Sequence, residues 1–198
     1  MTRIYLETGK KSTSEYVFMR TLLGSMGYGS GKVEILCADG KDNLHNLANK
    51  MRETILEGKG RNLIVFDADT EANGGGFLKR KGEIERQLAA MGVEADLFLF
   101  PNNADDGDFE ALLEKLIQAG EHKLFLDCYG DYERCLGDRY FAPNRKGRLH
   151  TYISAQKGLT QAQRKNLGKG EWLFDDSRFW NLESGALDAL KRFLAEKL

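Results

Sequence analysis

Two aspartates separated by one residue follow an apolar run near the middle of the chain. The segment NLIVFDADTEANGGG (62–76) passes from apolar residues into Asp67 and Asp69, and then into a glycine cluster. If the apolar run is a strand of a parallel sheet, the two carboxylates lie at its carboxyl end, where open α/β sheets bind ligands. Carboxylates are hard oxygen ligands that suit Mg²⁺ or Mn²⁺. The spacing therefore predicts a divalent-metal site at these two residues.

The first apolar run of the chain also ends in an acid. RIYLE (3–7) finishes at Glu7 and is followed by TGKKSTSE, in which Lys10 and Lys11 precede a predicted helix. If the first and third strands are neighbours, Glu7 joins the aspartates, and repulsion among the acids favours a bound cation or proton. The two lysines and the helix start suit phosphate oxygens, although lysines in a loop are more often plain solvated charge.

Further acids follow the fourth predicted strand, in PNNADDGDFE (101–110). Asp106 and Glu110 are additional metal candidates, for a second cation site, because i, i+4 spacing would place them on one helix face. The alternative is a polar turn leading into a helix whose acidic first turn complements the helix dipole. For Asp39, which follows the second strand, a turn or helix-capping role is favoured.

The elements that must position these residues alternate between strands and helices. Apolar runs predict strands over 3–7, 33–38, 62–69 and 95–101. Helical spacing of apolar residues connects them, for example in STSEYVFMRTLLGSM, where Ser12 and Glu15 have capping-box spacing. Alternation of this kind predicts βαβ units. The expected fold class is therefore α/β, with a mainly parallel central sheet flanked by helices.

Beyond residue 101 the pattern changes. The predicted elements are helices over 108–120 and 121–136, an irregular segment over 138–171 with a short helix, and a closing helix over 184–198. We expect residues 1–136 to form the α/β domain and residues 137–198 to form a C-terminal extension packed on it. Cys128 and Cys135 fall on the apolar face of the second predicted helix, so both are expected in the core.

Composition limits the cellular compartments and the classes of binding partner that the sequence supports. With 41% hydrophobic residues, a formal net charge of -1 and three cysteines without CxxC spacing, the chain reads as an ordinary globular protein with reduced thiols. It begins without an apolar signal segment and contains no apolar run of membrane-spanning length, so we expect it in the cytoplasm, with no membrane contact. The only basic region, 139–169, either contacts a nucleic-acid backbone or balances acidic segments elsewhere.

A Glu ending one strand and an Asp-x-Asp ending a later one resemble the Toprim domain. This domain is shared by topoisomerases, bacterial primases, recombination-repair proteins and the nucleases of the overcoming-lysogenization-defect group. The resemblance rests on Glu7 in IYLETGKKS and on Asp67 and Asp69 in VFDADTE. Thr8 stands where the family usually has Gly, and the acid often found four residues after the Glu is absent, with Glu15 as a substitute.

Two longer segments, 97–113 and 125–136, resemble a small stand-alone group of Toprim-like proteins whose role is largely unassigned. Together with the acids, the resemblance covers residues 3–136. It implies a Rossmannoid Toprim-like fold.

The same resemblance implies Mg²⁺-dependent phosphodiester chemistry on nucleic acid, as in a nuclease. Asp67 and Asp69 would hold the ion, and Glu7 would be the general acid or base, or a second ligand.

Two alternatives remain. The chain could be a non-catalytic Toprim-like module that binds nucleic acid, a nucleotide or a partner ATPase. It could also be a phosphatase of the haloacid dehalogenase type, because VFDADT has an Asp-x-Asp after a strand, with Asp67 as nucleophile. That reading is ranked last because Thr70 follows the second aspartate immediately, whereas the motif places it two residues on.

Overall fold

A parallel four-stranded sheet forms the centre of the protein. The computed structural model describes residues 1–29, 31–56, 58 and 60–198. Its strands are β1 (Thr2–Leu6), β2 (Val33–Cys37), β3 (Asn62–Asp67) and β4 (Asp96–Phe100), in the order β2-β1-β3-β4. Each predicted strand is confirmed to within two residues at either end, and so is the α/β fold class with helices flanking a parallel sheet.

The helices surround this sheet and continue past it. They are α1 (Ser14–Ser25), α2 (Ala48–Leu56), α3 (Phe77–Met91), α4 (Phe109–Glu114), α5 (Ala119–Leu136), α6 (Arg145–Ser154), α7 (Gln161–Leu167) and α8 (Asp188–Lys197). Short 3₁₀ turns occupy Lys41–Leu47, Glu71–Asn73, Gly137–Arg139 and Gly185–Leu187. No helix within the described ranges combines the length and apolar character needed to cross a bilayer.

Alternation along the strands divides the core into two layers. On β1, Ile4 packs with one layer and Tyr5 with the other, because successive side chains of a strand point to opposite faces. The first layer contains apolar residues of α1, α4, α6 and α8, and the second contains those of α2 and α3. Tyr152, Trp180 and Leu194 are fully or almost fully buried in the first layer. The C-terminal helices therefore share a hydrophobic core with the sheet.

The helix predicted over 108–120 is wrong in its length, because α4 ends at Glu114. Beyond it, the carbonyl of Leu116 accepts a hydrogen bond from Asn181 at 2.7 Å, and Ile117 forms an isolated bridge with Trp180. These backbone partners from the C-terminal segment replace the next helical turn.

The prediction of buried cysteines on α5 is also wrong, since Cys128 and Cys135 are exposed. The side of α5 that packs inward carries Phe125 and Tyr129, whose rings contact each other and, through Phe125, Tyr152 of α6. The helical spacing was correct, but the apolar stripe is wider than the face that the core can cover.

Within the segment predicted to be irregular, two helices form instead of one. The side chain of Asn144 accepts a hydrogen bond from Gly147 N–H and begins α6. Thr160 and Gln163 form a reciprocal capping box at the start of α7.

Candidate functional site

Two strand ends meet at the centre of the carboxyl edge of the sheet. β1 pairs with β3, and the backbone N–H of Asp67 donates a hydrogen bond to Glu7 Oε2 at 3.2 Å. The turn after β1 is tied to the turn after β2, since Gly40 N–H donates to the Glu7 carbonyl at 2.7 Å. A side chain at Gly9 would overlap the Asp39 carboxylate unless that exposed side chain moved, so glycine suits the close approach of the two turns. The edge therefore holds Glu7 against the end of β3.

Two helix starts bring further acids to this edge. Thr13, not Ser12, caps α1 by accepting a hydrogen bond from Tyr16 N–H, and Glu15 follows as the second helical residue. Asp108 caps α4 by accepting from Ala111 N–H at 2.7 Å, which gives Glu110 the equivalent position. Glu15 is therefore not half of a capping box. Mutual electrostatic effects join four side chains into one group, here called the acidic cluster: Glu7, Glu15, Asp67 and Glu110.

Burial and mutual repulsion weaken the acidity of the cluster. Burial raises the pKa of Asp67 well above its ordinary range, and the charges of Glu15, Glu7 and Glu110 push it further in the same direction. The hydrogen bond from Phe109 N–H to Asp67 Oδ1, at 2.8 Å, acts against this rise. Burial likewise raises the pKa of Glu7, opposed by the Asp67 N–H and by Arg80.

Glu15 has the clearest deficit of partners. Burial raises its pKa to about 8, and Glu7 and Glu110 contribute to the rise while Lys146 opposes it. Its Oε1 atom is buried and has no hydrogen-bond partner in the part of the chain that the structure describes. An ionised carboxylate in such a place is unfavourable unless a proton or a cation compensates it.

Asp69 lies in a different environment from Asp67. Its backbone is left-handed, with φ of 59°, and its carboxylate forms an ion pair with the buried guanidinium of Arg80 on α3. Arg80 also donates to Glu83 at 2.8 Å. Gly75 passes so close to Asp69 that a side chain at Gly75 would overlap it, so the glycine cluster forms a tight turn that brings α3 to Asp69.

Asp106 belongs to the same side as Asp69. Its Oδ1 accepts a hydrogen bond from Phe77 N–H, the first residue of α3, at 2.7 Å. Because α4 begins only at Phe109, the prediction that Asp106 and Glu110 share one helix face is wrong. The structure thus places Glu110 in the acidic cluster and Asp106 at the start of α3. Asp39 lies in a left-handed turn, and no side-chain cap begins the 3₁₀ turn that follows it.

Lys10 and Lys11, the candidate phosphate ligands, differ from the cations of the basic segment in whether carboxylates neutralise their charge. Lys10 and Lys11 are exposed, and neither forms an ion pair with a carboxylate of the described residues. In the segment 139–169, by contrast, several cations pair with acids of α4 and α5. These pairs are Arg145 with Asp108 and Glu114, Lys146 with Glu110 at 3.5 Å, and Arg148 with Glu114 and Glu133.

The fit of the site to a divalent ion depends on the donor set. Within the described residues, no three His, Cys, Asp or Glu side chains are already arranged around one point as a bound ion requires. The acidic cluster nevertheless offers only carboxylate oxygens, the donors that Mg²⁺ prefers, and one of them, Glu15 Oε1, is buried without a partner. The donor chemistry of the cluster therefore suits Mg²⁺, whereas its described side chains do not surround one point. Comparisons of the chain with protein-family models, curated protein sequences and solved structures find no match.

Two residues of the site were not identified from the sequence. Arg80 lies four residues before Ile84, on the face of α3 that packs inward, where a cation was not counted as part of the apolar stripe. Lys146 was only one cation of a basic segment. The spacing of Arg80 from Ile84 is one sequence hint, and the glycine cluster is a second, since a turn that tight places the first turn of α3 beside Asp69.

Proposed function

We propose that the protein carries out Mg²⁺-dependent phosphodiester chemistry on nucleic acid, as a Toprim-type nuclease or a related enzyme. The observation that carries the proposal is the acidic cluster, whose half-buried carboxylates repel one another at the ligand-binding edge of a parallel sheet. A divalent cation relieves this repulsion without protonating the acids. The resemblance to the Toprim domain at Glu7, Asp67 and Asp69 supports the same function.

Each residue has a distinct role in this proposal. Asp67, Glu15 and Glu110 would hold Mg²⁺, and Asp69 would join them by exchanging Arg80 for the ion. Mg²⁺ supplies neutralisation of phosphate oxygens and stabilisation of the negative charge that develops during displacement. Glu7 exchanges a proton with the attacking or leaving oxygen, since a raised pKa moves a carboxyl group toward the range useful for acid and base catalysis. Lys10 and Lys11 contact phosphate oxygens.

A second candidate is a non-catalytic module that binds nucleic acid, a nucleotide or an ATPase partner. The pairing of Asp69 with Arg80 favours it, because that contact commits one of the Asp-x-Asp carboxylates to the fold. The phosphatase reading is weaker. Its motif places a Thr or Val two residues after the second aspartate, whereas Thr70 follows Asp69 immediately.

Cleavage of labelled DNA and RNA, each single-stranded and duplex, in Mg²⁺ tests the proposal. We expect Glu7→Gln to lower the cleavage rate by about 100-fold or more, as loss of a general acid or base does. Asp127→Asn, an exposed acid on α5, is the matched control and should cleave normally. No Mg²⁺-dependent cleavage by the wild type, or full activity of Glu7→Gln, would refute the enzymatic function. Phosphate release from small phosphomonoesters with nucleic acid left intact would favour the phosphatase.

A further inference from the structure

A pocket of about 370 Å³ lies between α1 and β2, an edge strand of the sheet, and extends from Lys11 to Met1 and Val33 at the amino end of the strands. Its volume lies within the range of small-molecule sites. The residues that define its character are Lys11, Tyr16, Arg20, Leu23, Tyr28 and Ile35. We call it the tyrosine pocket. Lys11 is the one residue that it shares with the site described above.

The lining combines aromatic rings with Lys11, whereas its second cation, Arg20, is ion-paired with Glu171 at 3.3 Å and its carboxylate, Glu34, is ion-paired with Arg3. Tyr16 and Tyr28 are half-buried and pack against the first core layer, which fixes them in place. Neither phenol hydroxyl makes a hydrogen bond to any residue that the structure describes. Lys11 Nζ lies 6.0 Å from the centroid of the Tyr16 ring. Rings for stacking beside cations for the backbone are the combination that binds unpaired nucleotides.

One end of the pocket, at Lys11 and Tyr16, lies close to the acidic cluster. Glu15 and Tyr16 are consecutive residues, the first in the cluster and the second in the pocket. Cys37, which ends β2, lies within electrostatic reach of both: burial raises the pKa of its thiol, Glu15 raises it further and Lys11 lowers it. Lys11 therefore relates the two regions, because it lines the pocket and acts on the same thiol as Glu15.

We propose that the tyrosine pocket receives an unpaired nucleobase of a single-stranded nucleic acid whose backbone passes Lys11 toward the acidic cluster. This inference rests on the proposed function and specifies its substrate class. A paired base presents only its edge to the protein, whereas stacking on a tyrosine needs an exposed base face. The protein then selects single-stranded over duplex substrates.

Binding of a fluorescein-labelled short oligothymidylate, followed by anisotropy, tests the pocket. The matched ligand is an abasic oligomer with the same number of phosphates, and oligouridylate tests whether RNA replaces DNA. The measurement uses Glu7→Gln protein in Mg²⁺, so that cleavage does not interfere. Tyr28→Leu removes the ring but keeps an apolar side chain against the core, Tyr28→Phe keeps the ring, and Tyr140→Leu changes an exposed tyrosine of the basic segment.

We expect Tyr28→Leu to weaken oligothymidylate binding about tenfold, in line with loss of one base–aromatic stack, and to leave abasic binding unchanged. Tyr28→Phe and Tyr140→Leu should bind normally, and Lys11→Ala should weaken both ligands. Three results would each refute the pocket proposal: equal binding of oligothymidylate and the abasic oligomer, no binding of either, or normal binding by Tyr28→Leu.

The wild-type cleavage assay separates the two proposals. If the wild type cleaves nucleic acid and Tyr28→Leu binds oligothymidylate normally, only the pocket proposal is refuted. If binding depends on the Tyr28 ring but the wild type does not cleave, only the enzymatic function is refuted.

Discussion

The acids on the two sides of the carboxyl edge of the sheet differ in whether a cation or a hydrogen bond compensates their charge. On the α3 side, Asp69 is paired with Arg80, and Asp106 accepts the first N–H of α3. On the α1 and α4 side, burial and like charges raise the pKa of Asp67, and an oxygen of Glu15 has no partner among the described residues. Compensated acids are explained by the fold itself. The uncompensated ones are not, and they are the ones for which a ligand must be sought.

Backbone geometry produces this difference across only two positions. Asp67 has the parity of Val65, which faces the α1 layer, so its carboxylate also turns to that layer. Asp69 would point the same way in an extended strand, but its left-handed φ of 59° ends the alternation and its carboxylate meets Arg80 instead. Asp-x-Asp spacing alone therefore does not place two carboxylates at one point.

The largest effect on stability should come from breaking the compensated side. Arg80→Met leaves Asp69 and Glu83 without their buried cation, and we expect the free energy of unfolding to fall by about 3 kcal/mol, as for a broken buried ion pair. Urea denaturation measures this. Arg86→Met, on the exposed side of the same helix, is the control and should change little. Equal stability of the two variants would show that Arg80 does not hold the α3 side.

A smaller effect, of opposite sign, should follow from relieving the uncompensated side. The pKa of Glu15 is raised from 4.5 to about 8 on folding, so between these values the folded protein keeps a proton that the unfolded chain releases. Without divalent cations, stability should therefore fall as pH rises through this window. Glu15→Gln should flatten the dependence and, at pH near 8, raise the free energy of unfolding by about 2 kcal/mol.

Thermal unfolding over this pH range, in chelator, measures the effect. Glu196→Gln, an exposed acid on α8, should keep the wild-type dependence. A Glu15→Gln profile that matches the wild type would mean that Glu15 is not a strained member of the cluster.

The smallest effect should come from Asp106, which the structure assigns to capping. Asp106→Ala removes the acceptor for Phe77 N–H, and we expect a loss of about 1 kcal/mol, as for other N-terminal acceptors. Cleavage in Mg²⁺ should remain. A loss of activity without a loss of stability would instead place Asp106 among the metal ligands.

The sequence predicted the strands and the acids at the carboxyl edge of the sheet better than it predicted which side chains those acids contact. Periodicity located β1 to β4, because parallel strands buried on both faces read as short apolar runs. It also placed Glu7 and Asp67 at one edge, since adjacent parallel strands end together. It could not show the pairing of Asp69 with Arg80, because that contact depends on a left-handed residue and a glycine turn.

The C-terminal third of the chain was harder to predict for a related reason. Its structure depends on long-range contacts, such as the bridge between Ile117 and Trp180 that accompanies the early end of α4. It also depends on ion pairs between α6 and α4, such as Arg145 with Asp108. Composition identifies this part of the chain only as a basic segment and does not show which acids its cations contact. Local propensity carries no information on either.

The most direct test of the acidic cluster is isothermal titration of Mg²⁺ and Mn²⁺ into the wild type and into Asp67→Asn, Asp69→Asn and Asp106→Asn. A metal site at the acidic cluster predicts binding by the wild type, its loss in Asp67→Asn, a smaller decrease in Asp69→Asn and no change in Asp106→Asn. No binding by the wild type, or unchanged binding in Asp67→Asn, would contradict it.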